Sequence, residues 1–288
     1  MRIHSLNCGS LCPFGGRLFG GSGPIWSPAR MCCHCLLIEG EDGLILVDSG
    51  LGVDDVSDPS RLGFLFRAVT RPRLEMAETA LRQVADLGFR VSDVRHIVPT
   101  HLDLDHAGGI VDFPEASVHV FALELQAALN PSFRERFRYR AAQLSGVANW
   151  APVEEPGETW FGFSCVRTLP GTRDEILLIP LPGHSRGHCG VAVASDRGWL
   201  LHCGDAYFHH AEVAGAGAPA GLTWFESRVA FDNKARLANQ KRLRELKQNF
   251  GREVRLVCSH DPAELAASDA PEAPAEVVVL SERRARSK

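Results

Sequence analysis

The run Thr100-His101-Leu102-Asp103-Leu104-Asp105-His106-Ala107-Gly108-Gly109 decides how this chain is read. His101, Asp103, Asp105 and His106 are all able to bind a metal ion, and they sit on a stretch too short and polar to be core. Apolar Ile97-Val98-Pro99 precedes them and a small-residue turn follows. A strand end, then ligands, then a glycine-rich entry to the next element is how a fold presents a rigid metal site. Imidazole and carboxylate suit borderline and hard divalent cations. The plain alternative is a solvated loop with chance polar residues, and the rest of the chain weighs against it.

Three later segments repeat the arrangement. His184 follows an apolar strand and a Pro-Gly turn in Leu181-Pro182-Gly183-His184-Ser185-Arg186-Gly187-His188. Asp205 follows the next apolar strand in Leu201-His202-Cys203-Gly204-Asp205-Ala206, and His260 follows the final one in Leu256-Val257-Cys258-Ser259-His260-Asp261. Strand ends converge on one edge of a sandwich, so His101, Asp103, Asp105, His106, His184, Asp205 and His260 are placed to meet.

With Asp48 in Val47-Asp48-Ser49-Gly50, this order of residues resembles the metallo-β-lactamase superfamily over most of the chain. The resemblance implies an α/β fold: a four-layer αββα sandwich, two mixed sheets flanked by helices, with a dinuclear metal site along one sheet edge. It implies that His101, Asp103 and His184 hold one metal, that Asp105, His106 and His260 hold the other, and that Asp205 bridges them. Asp48 and His188 are expected behind the ligands, orienting them. Most members carry histidine where this chain has Asp103. The added carboxylate is a harder ligand that moves preference from zinc toward iron or manganese. Asp103 binds directly, through water, or not at all, and zinc is the default for the two cations.

Two cations at such a site lower the pKa of a shared water toward neutrality and polarise a carbonyl. Asp105 and Asp205 are expected to hold that water in line. Tyr207, two residues past Asp205, is a candidate proton donor to the substrate or else a packing residue. His209 and His210 read as loop or rim residues, and Trp26 and Trp224 as pocket wall or rim packing. The expected activity is hydrolysis of a small ester, lactone or thioester, since Ala107-Gly108-Gly109 resembles the lactonases. The alternatives are a diiron-type oxygen or sulfur redox enzyme, suggested by the carboxylate at 103, and a β-lactamase.

Composition bounds the rest. The 288 residues are 45% hydrophobic and 23% charged, ordinary for a globular protein with a sizeable core. A formal charge of −4 gives no electrostatic case for nucleic acid or an anionic membrane. No apolar run approaches a membrane span, and Met1-Arg2-Ile3-His4-Ser5-Leu6-Asn7 lacks the charged start and long apolar stretch of a signal peptide. Nine cysteines, several in apolar strand-like contexts such as Cys165, Cys189, Cys203 and Cys258, suit a reduced cytoplasmic protein. A small-molecule substrate is the expected partner, and a homodimer is compatible with the sequence. Cys32-Cys33-His34-Cys35 has zinc-cluster residues but runs straight into Leu36-Leu37-Ile38, and so reads as buried strand.

Residues 1–264 read as one metal-binding domain with a helical insertion at about 131–150, and 265–288 as a frayed tail. Strands are expected over 33–39, 44–47, 94–98, 118–121, 160–165, 175–180, 190–194, 199–201 and 254–258. Helices are expected over 76–87, 122–129 and 232–250. In 131–145, Phe133, Phe137, Ala141 and Leu144 share one helical face while Arg134, Arg136, Arg138 and Arg140 fill the others. That suits a surface helix or a lid whose arginines meet an acidic substrate. Ala211 to Leu222 reads as an exposed loop. The strands fall into two sets, before and after about residue 160, which suits two sheets packed face to face with helices outside.

Overall fold

The computed structural model describes residues 1–154, 157–164 and 176–269. Six strands form the first sheet in sequence order: β1 (Arg2–Leu11), β2 (Met31–Gly40), β3 (Gly43–Val47), β4 (Val94–Val98), β5 (Ser117–Phe121) and β6 (Trp150–Val153). A two-stranded hairpin follows, β7 (Thr159–Trp160) and β8 (Phe163–Ser164). The second sheet is ordered β12-β11-β10-β9, from β9 (Ile176–Pro180), β10 (Cys189–Ser195), β11 (Gly198–His202) and β12 (Val254–Val257).

The layering follows from side-chain alternation in strands buried on both faces. In β2 and β3, Leu36, Ile38, Ile45 and Val47 point between the sheets, where they meet Ile176, Leu178, Val191 and Val193. Their neighbours Cys35, Leu37, Leu44 and Leu46 point the other way, onto a cluster that includes Ala80 and Val84 of the helix Ala80–Asp86 and Ala127 of the helix Ala122–Leu129. On the far side, Ile179, Ala192 and Leu201 pack against Leu243 and Leu246 of the helix Asn233–Phe250. Helices, sheet, sheet and helices therefore stack as an αββα sandwich of the expected class.

Strand direction places the site. β3, β4, β5 and β6 pair in parallel. In the second sheet β10 is antiparallel to both β9 and β11, and β12 is parallel to β11, so β9, β11 and β12 run the same way. The segments that follow β3, β4, β9, β11 and β12 are those carrying Asp48, the 101–106 run, His184, Asp205 and His260.

Several expectations are corrected. β1 was not foreseen; its side chains lack a clean two-residue alternation of burial. The helix expected over 76–87 is a 3₁₀ turn, Met76–Glu78, and then a helix, Ala80–Asp86. Thr79 breaks it: extended in backbone, its Oγ1 accepts the Arg82 N–H as an N-cap. The 160–165 strand is the β7–β8 hairpin instead, turned by Phe161 and Gly162 with φ of 44° and 80°. The loop expected from Ala211 to Leu222 is confined to 215–219; the rest belongs to the helices His210–Ala214 and Ala220–Val229. The 131–145 stretch is no continuous helix; it holds a 3₁₀ turn at Glu135–Phe137 and a short helix at Ala141–Leu144. Of the three leucines in the helix Asn233–Phe250, Leu243 and Leu246 are buried and Leu237 is exposed.

A helix at Pro262–Asp269 continues past residue 264, while Cys165, Glu175 and 270–288 lie outside the described residues. Every cysteine among the described residues is free, and all but Cys12 are buried. Among the described residues no helix is long and apolar enough to cross a membrane.

Candidate metal centre

The seven side chains singled out from the sequence come together. Asp103 Oδ2 lies 3.1 Å from His184 Nε2 and 3.4 Å from His101 Nε2. Asp205 reaches both sides: Oδ2 is 3.4 Å from His184 Nε2 and 3.8 Å from His101 Nε2, while Oδ1 is 3.4 Å from His106 Nε2 and 3.2 Å from His260 Nε2. Asp105 stands 3.9 Å from His106 Nε2 and 3.8 Å from His260 Nε2. Donors held tetrahedrally about 2.1 Å from one ion stand about 3.4 Å from each other. The spacings here match that edge length in two adjoining groups that share Asp205.

The imidazoles are aimed from behind. His106 Nδ1 donates to Asp48 Oδ2 at 2.9 Å. Thr100 Oγ1 donates to the same oxygen at 2.9 Å and lies 3.0 Å from His101 Nδ1, whose proton it is free to accept. His260 Nδ1 donates to the Cys32 carbonyl at 2.8 Å. Each bond fixes one ring nitrogen as donor and leaves Nε2 with a lone pair toward the centre. His184 is the exception, with no partner at Nδ1. His101 Nε2, His106 Nε2 and Asp205 Oδ1 are buried and have no hydrogen-bond partner. Orphaned acceptors converging at this spacing are costly to a fold unless a cation meets them, so the residues present fit a divalent metal pair.

Asp48 and His188 sit where the sequence put them. Asp48 has φ of 55°, in the left-handed region that aspartate tolerates better than most residues. That turn lets its carboxylate take the Thr100 N–H at 2.6 Å as well as His106. His188 donates from Nδ1 to the Leu181 carbonyl and accepts the Asp205 N–H at Nε2, at 2.9 Å. It holds the backbone of the bridging residue and gives nothing directly to the centre. Gly204, at φ +52°, allows this approach: a Cβ there would lie 2.6 Å from His188 Nε2 and 2.8 Å from Thr100 Oγ1.

Charge is matched to a cation. Burial opposes ionisation of Asp205, yet the imidazoles of His260 and His106 outweigh it and hold its carboxyl well below the usual range. The same contest at Asp103 is won by Arg138 and His101, and at Asp48 by His106. Burial, followed by Arg138, pushes His184 down to about 4, which keeps its ring neutral.

Tyr207 is corrected. It is fully buried among the outer-face core, and its hydroxyl donates to the Glu264 carboxylate at 3.0–3.1 Å, a position that does not fit a proton donor to substrate. His209 accepts the Ala211 N–H and His210 meets Asp261 at 2.6 Å, so both lie outside the seven-residue centre. Trp26 and Trp224 are exposed, 79% and 59%, and neither lines the cavity over the site.

Sequence reasoning missed one residue and misplaced another. Glu124, buried in the helix Ala122–Leu129, accepts from the Leu102 N–H, Tyr139 hydroxyl, Ser185 hydroxyl and Gly187 N–H. It ties the 101–106 run to the His184 loop. The only local signal was an acidic residue inside a mainly apolar helix. The other is Arg138, whose side chain turns inward rather than out to solvent: Nη1 and Nη2 donate to the carbonyls of His184 and Val229.

A cavity of about 360 Å³ opens on the centre. Asp103, Asp105, His184, Asp205 and His260 form its floor, and Leu65, Phe66, Phe137, Phe208 and Phe225 are among its walls.

Comparison with known proteins agrees with this picture. The Metallo-beta-lactamase superfamily profile matches residues 32–249. A probable metallo-hydrolase of Mycobacterium tuberculosis is 43% identical over 264 residues, covering 91% of this chain and 81% of the relative. An N-acyl homoserine lactonase of Bacillus thuringiensis is 26% identical over 228 residues, covering 77% and 76%. The crystal structure of a B. thuringiensis AiiA lactonase variant with N-decanoyl-L-homoserine at its active site superposes with a TM-score of 0.69 at 21% identity, covering 92% of this chain and 95% of that one. At that identity the likeness speaks for the fold.

Proposed function

Because this chain belongs to the metallo-beta-lactamase superfamily and is a metal-dependent hydrolase, we propose that its substrate is a small lactone, ester or thioester bearing one apolar chain. The observation that carries the reading is the cavity: its floor is the metal-capable cluster and its walls are mainly aliphatic and aromatic, with Arg134, Glu135, Arg138 and Arg228 also on the lining. Such a shape takes a reacting carbonyl at the bottom and a hydrocarbon chain above it. The N-acyl homoserine lactonase relative supports the lactone as the first member of the class to try.

In this reading His101, Asp103, His184 and Asp205 hold one cation, and Asp105, His106, His260 and Asp205 the other. Zinc is the default, with iron or manganese admitted by the harder oxygen of Asp103. When bound, the pair supplies Lewis acidity and a nucleophile from water near neutral pH. The chain's own contributions are distinct from that. Asp205 spans both groups with one carboxylate and so fixes their separation. Asp105 is 11% exposed and lies on the cavity floor, where it is placed to orient a water and take its proton. The apolar walls exclude bulk water and hold the chain. The relatives named above carry hydrolase names, which does not favour the redox alternative.

The test is turnover of acyl-homoserine lactones, acyl thioesters and aryl esters by protein carrying its full metal complement. Hydrolysis of at least one class, lost on chelation and restored by metal, is expected. A fully metallated preparation inert toward all three contradicts the proposal.

A further inference from the structure

Asp103 adds a third carboxylate to a centre that already contains Asp105 and Asp205. Something must offset that charge and decide which of its oxygens faces the metal-capable histidines. The structure offers one group for both tasks. Arg138 approaches from the 3₁₀ turn Glu135–Phe137, with Nε 3.4 Å from Asp103 Oδ1, an ion pair rather than a hydrogen bond, since Oδ1 has no hydrogen-bond partner. The other carboxylate oxygen, Oδ2, is the one near His184 and His101, at 3.1 and 3.4 Å. Arg138 is itself held, donating to the His184 carbonyl at 2.9 Å and the Val229 carbonyl at 2.6 Å. Its side chain is only 10% exposed. Of its sequence neighbours, Arg134 and Arg136 are exposed, and Arg140 donates to the Arg61 carbonyl instead.

The chemistry suits an arginine. A planar guanidinium presents donors in three fixed directions, so two carbonyls can set its plane while Nε meets the carboxylate. Desolvating such a cation is expensive unless a charge answers it. Asp103 answers it, and Arg138 lowers the net charge that Asp103 brings to the centre. A histidine at 103 would leave the guanidinium facing a bound cation with no carboxylate between them. Asp103 and Arg138 therefore belong together.

We propose that Arg138 is a positioning residue for the metal centre: it neutralises Asp103 and holds its carboxylate so that Oδ2 alone faces the space shared by His101 and His184. The pair sets the affinity of that half of the centre. This inference rests on the metal reading of the site given above, and its test separates the two.

Zinc affinity of the metal-stripped full chain is measured against a chromophoric chelator, with stoichiometry from native mass spectrometry. The wild type, R138M, D103H and D103H/R138M are compared, and metal-free melting shows that each folds. The wild type is expected to bind two zinc ions. R138M is expected to bind one as the wild type does and the other at least tenfold more weakly. D103H is expected to lose affinity at the same position, and D103H/R138M to regain it to within about threefold of wild type. That non-additivity is something a merely structural arginine would not produce. R138Q replaces R138M, with the same expectations, if the latter does not fold. Two ions bound at wild-type affinity in R138M overturn the inference alone, and so does a double variant no better than R138M. A wild type that binds no zinc, iron or manganese overturns the metal reading itself.

Discussion

His106 donates its Nδ1 proton to Asp48 Oδ2 at 2.9 Å, and Asp48 lies at the end of a different strand, 58 residues earlier in the chain. This bond sets the tautomer of His106 and turns Nε2 toward Asp205. The same carboxylate takes the N–H and hydroxyl of Thr100, so it steadies His101 as well. Replacing it by an amide, D48N, puts an NH₂ against groups that need acceptors. A 10–100-fold loss of zinc affinity is expected, as for other groups behind metal ligands. Chelator competition checks it, and unchanged affinity would count against the orienting role.

The cavity wall predicts a dependence on chain length. Each methylene buried against apolar surface contributes up to about 0.8 kcal/mol, or about fourfold in kcat/KM. For a homologous series of acyl substrates, kcat/KM is expected to climb by about two- to fourfold per methylene and then level once the cavity is full. L65W, on the wall, is expected to move the plateau to shorter chains while leaving acetyl substrates little changed. A flat profile in the wild type would mean that the cavity does not take the chain.

Tyr207 provides a negative prediction. Its hydroxyl serves Glu264, which also accepts the Cys258 N–H at 2.8 Å. Y207F is therefore expected to keep kcat/KM within about threefold while costing about 1 kcal/mol of stability, measured by urea unfolding. A hundredfold fall in kcat with the metal content intact would restore the tyrosine to the chemistry.

Asp112 gives the clearest pH signature away from the metal centre. Burial first, and then the charges of Asp54 and Asp55, push its carboxyl up to about 6, while Oδ2 accepts the Val53 N–H at 3.0 Å. A raised pKa means the folded protein prefers the protonated form. The associated stability is fully present below the ordinary value near 4 and is lost as pH rises through about 6. D112N keeps an acceptor for Val53 without the charge. It is expected to be more stable than wild type at pH 7.5, by no more than about 3 kcal/mol, with the advantage fading toward pH 4. Urea unfolding at both pH values checks this, and a difference that does not vary with pH would refute it.

Much of this arrangement was legible in the linear order, and what was not has physical reasons. His101, His184, Asp205 and His260 each follow an apolar strand, and local patterning finds strand ends well. The two-faced burial of β2 and β3 shows as unbroken apolar runs. Thr79 was readable as a helix cap but lay inside a periodic stretch that masked it. Arg138 defeats pattern reading because a helical face assigned by period puts every arginine of 134–140 outward, whereas one carboxylate and two carbonyls draw this one in. Glu124 is hidden for a similar reason: its four partners come from segments near 102, 139 and 186, which meet only in the folded chain. Tyr207 shows the converse error, in which closeness in sequence to Asp205 did not carry its side chain to the same face.

The central claim is that seven side chains from separate strand ends share two cations. Anomalous scattering at the zinc edge, from crystals of zinc-loaded protein, tests it most directly. Two peaks are predicted, one about 2.0–2.2 Å from His101 Nε2, His184 Nε2 and an Asp205 oxygen, the other at the same range from His106 Nε2, His260 Nε2 and the second Asp205 oxygen. Fully loaded crystals with no peak within bonding distance of Asp205 would contradict it.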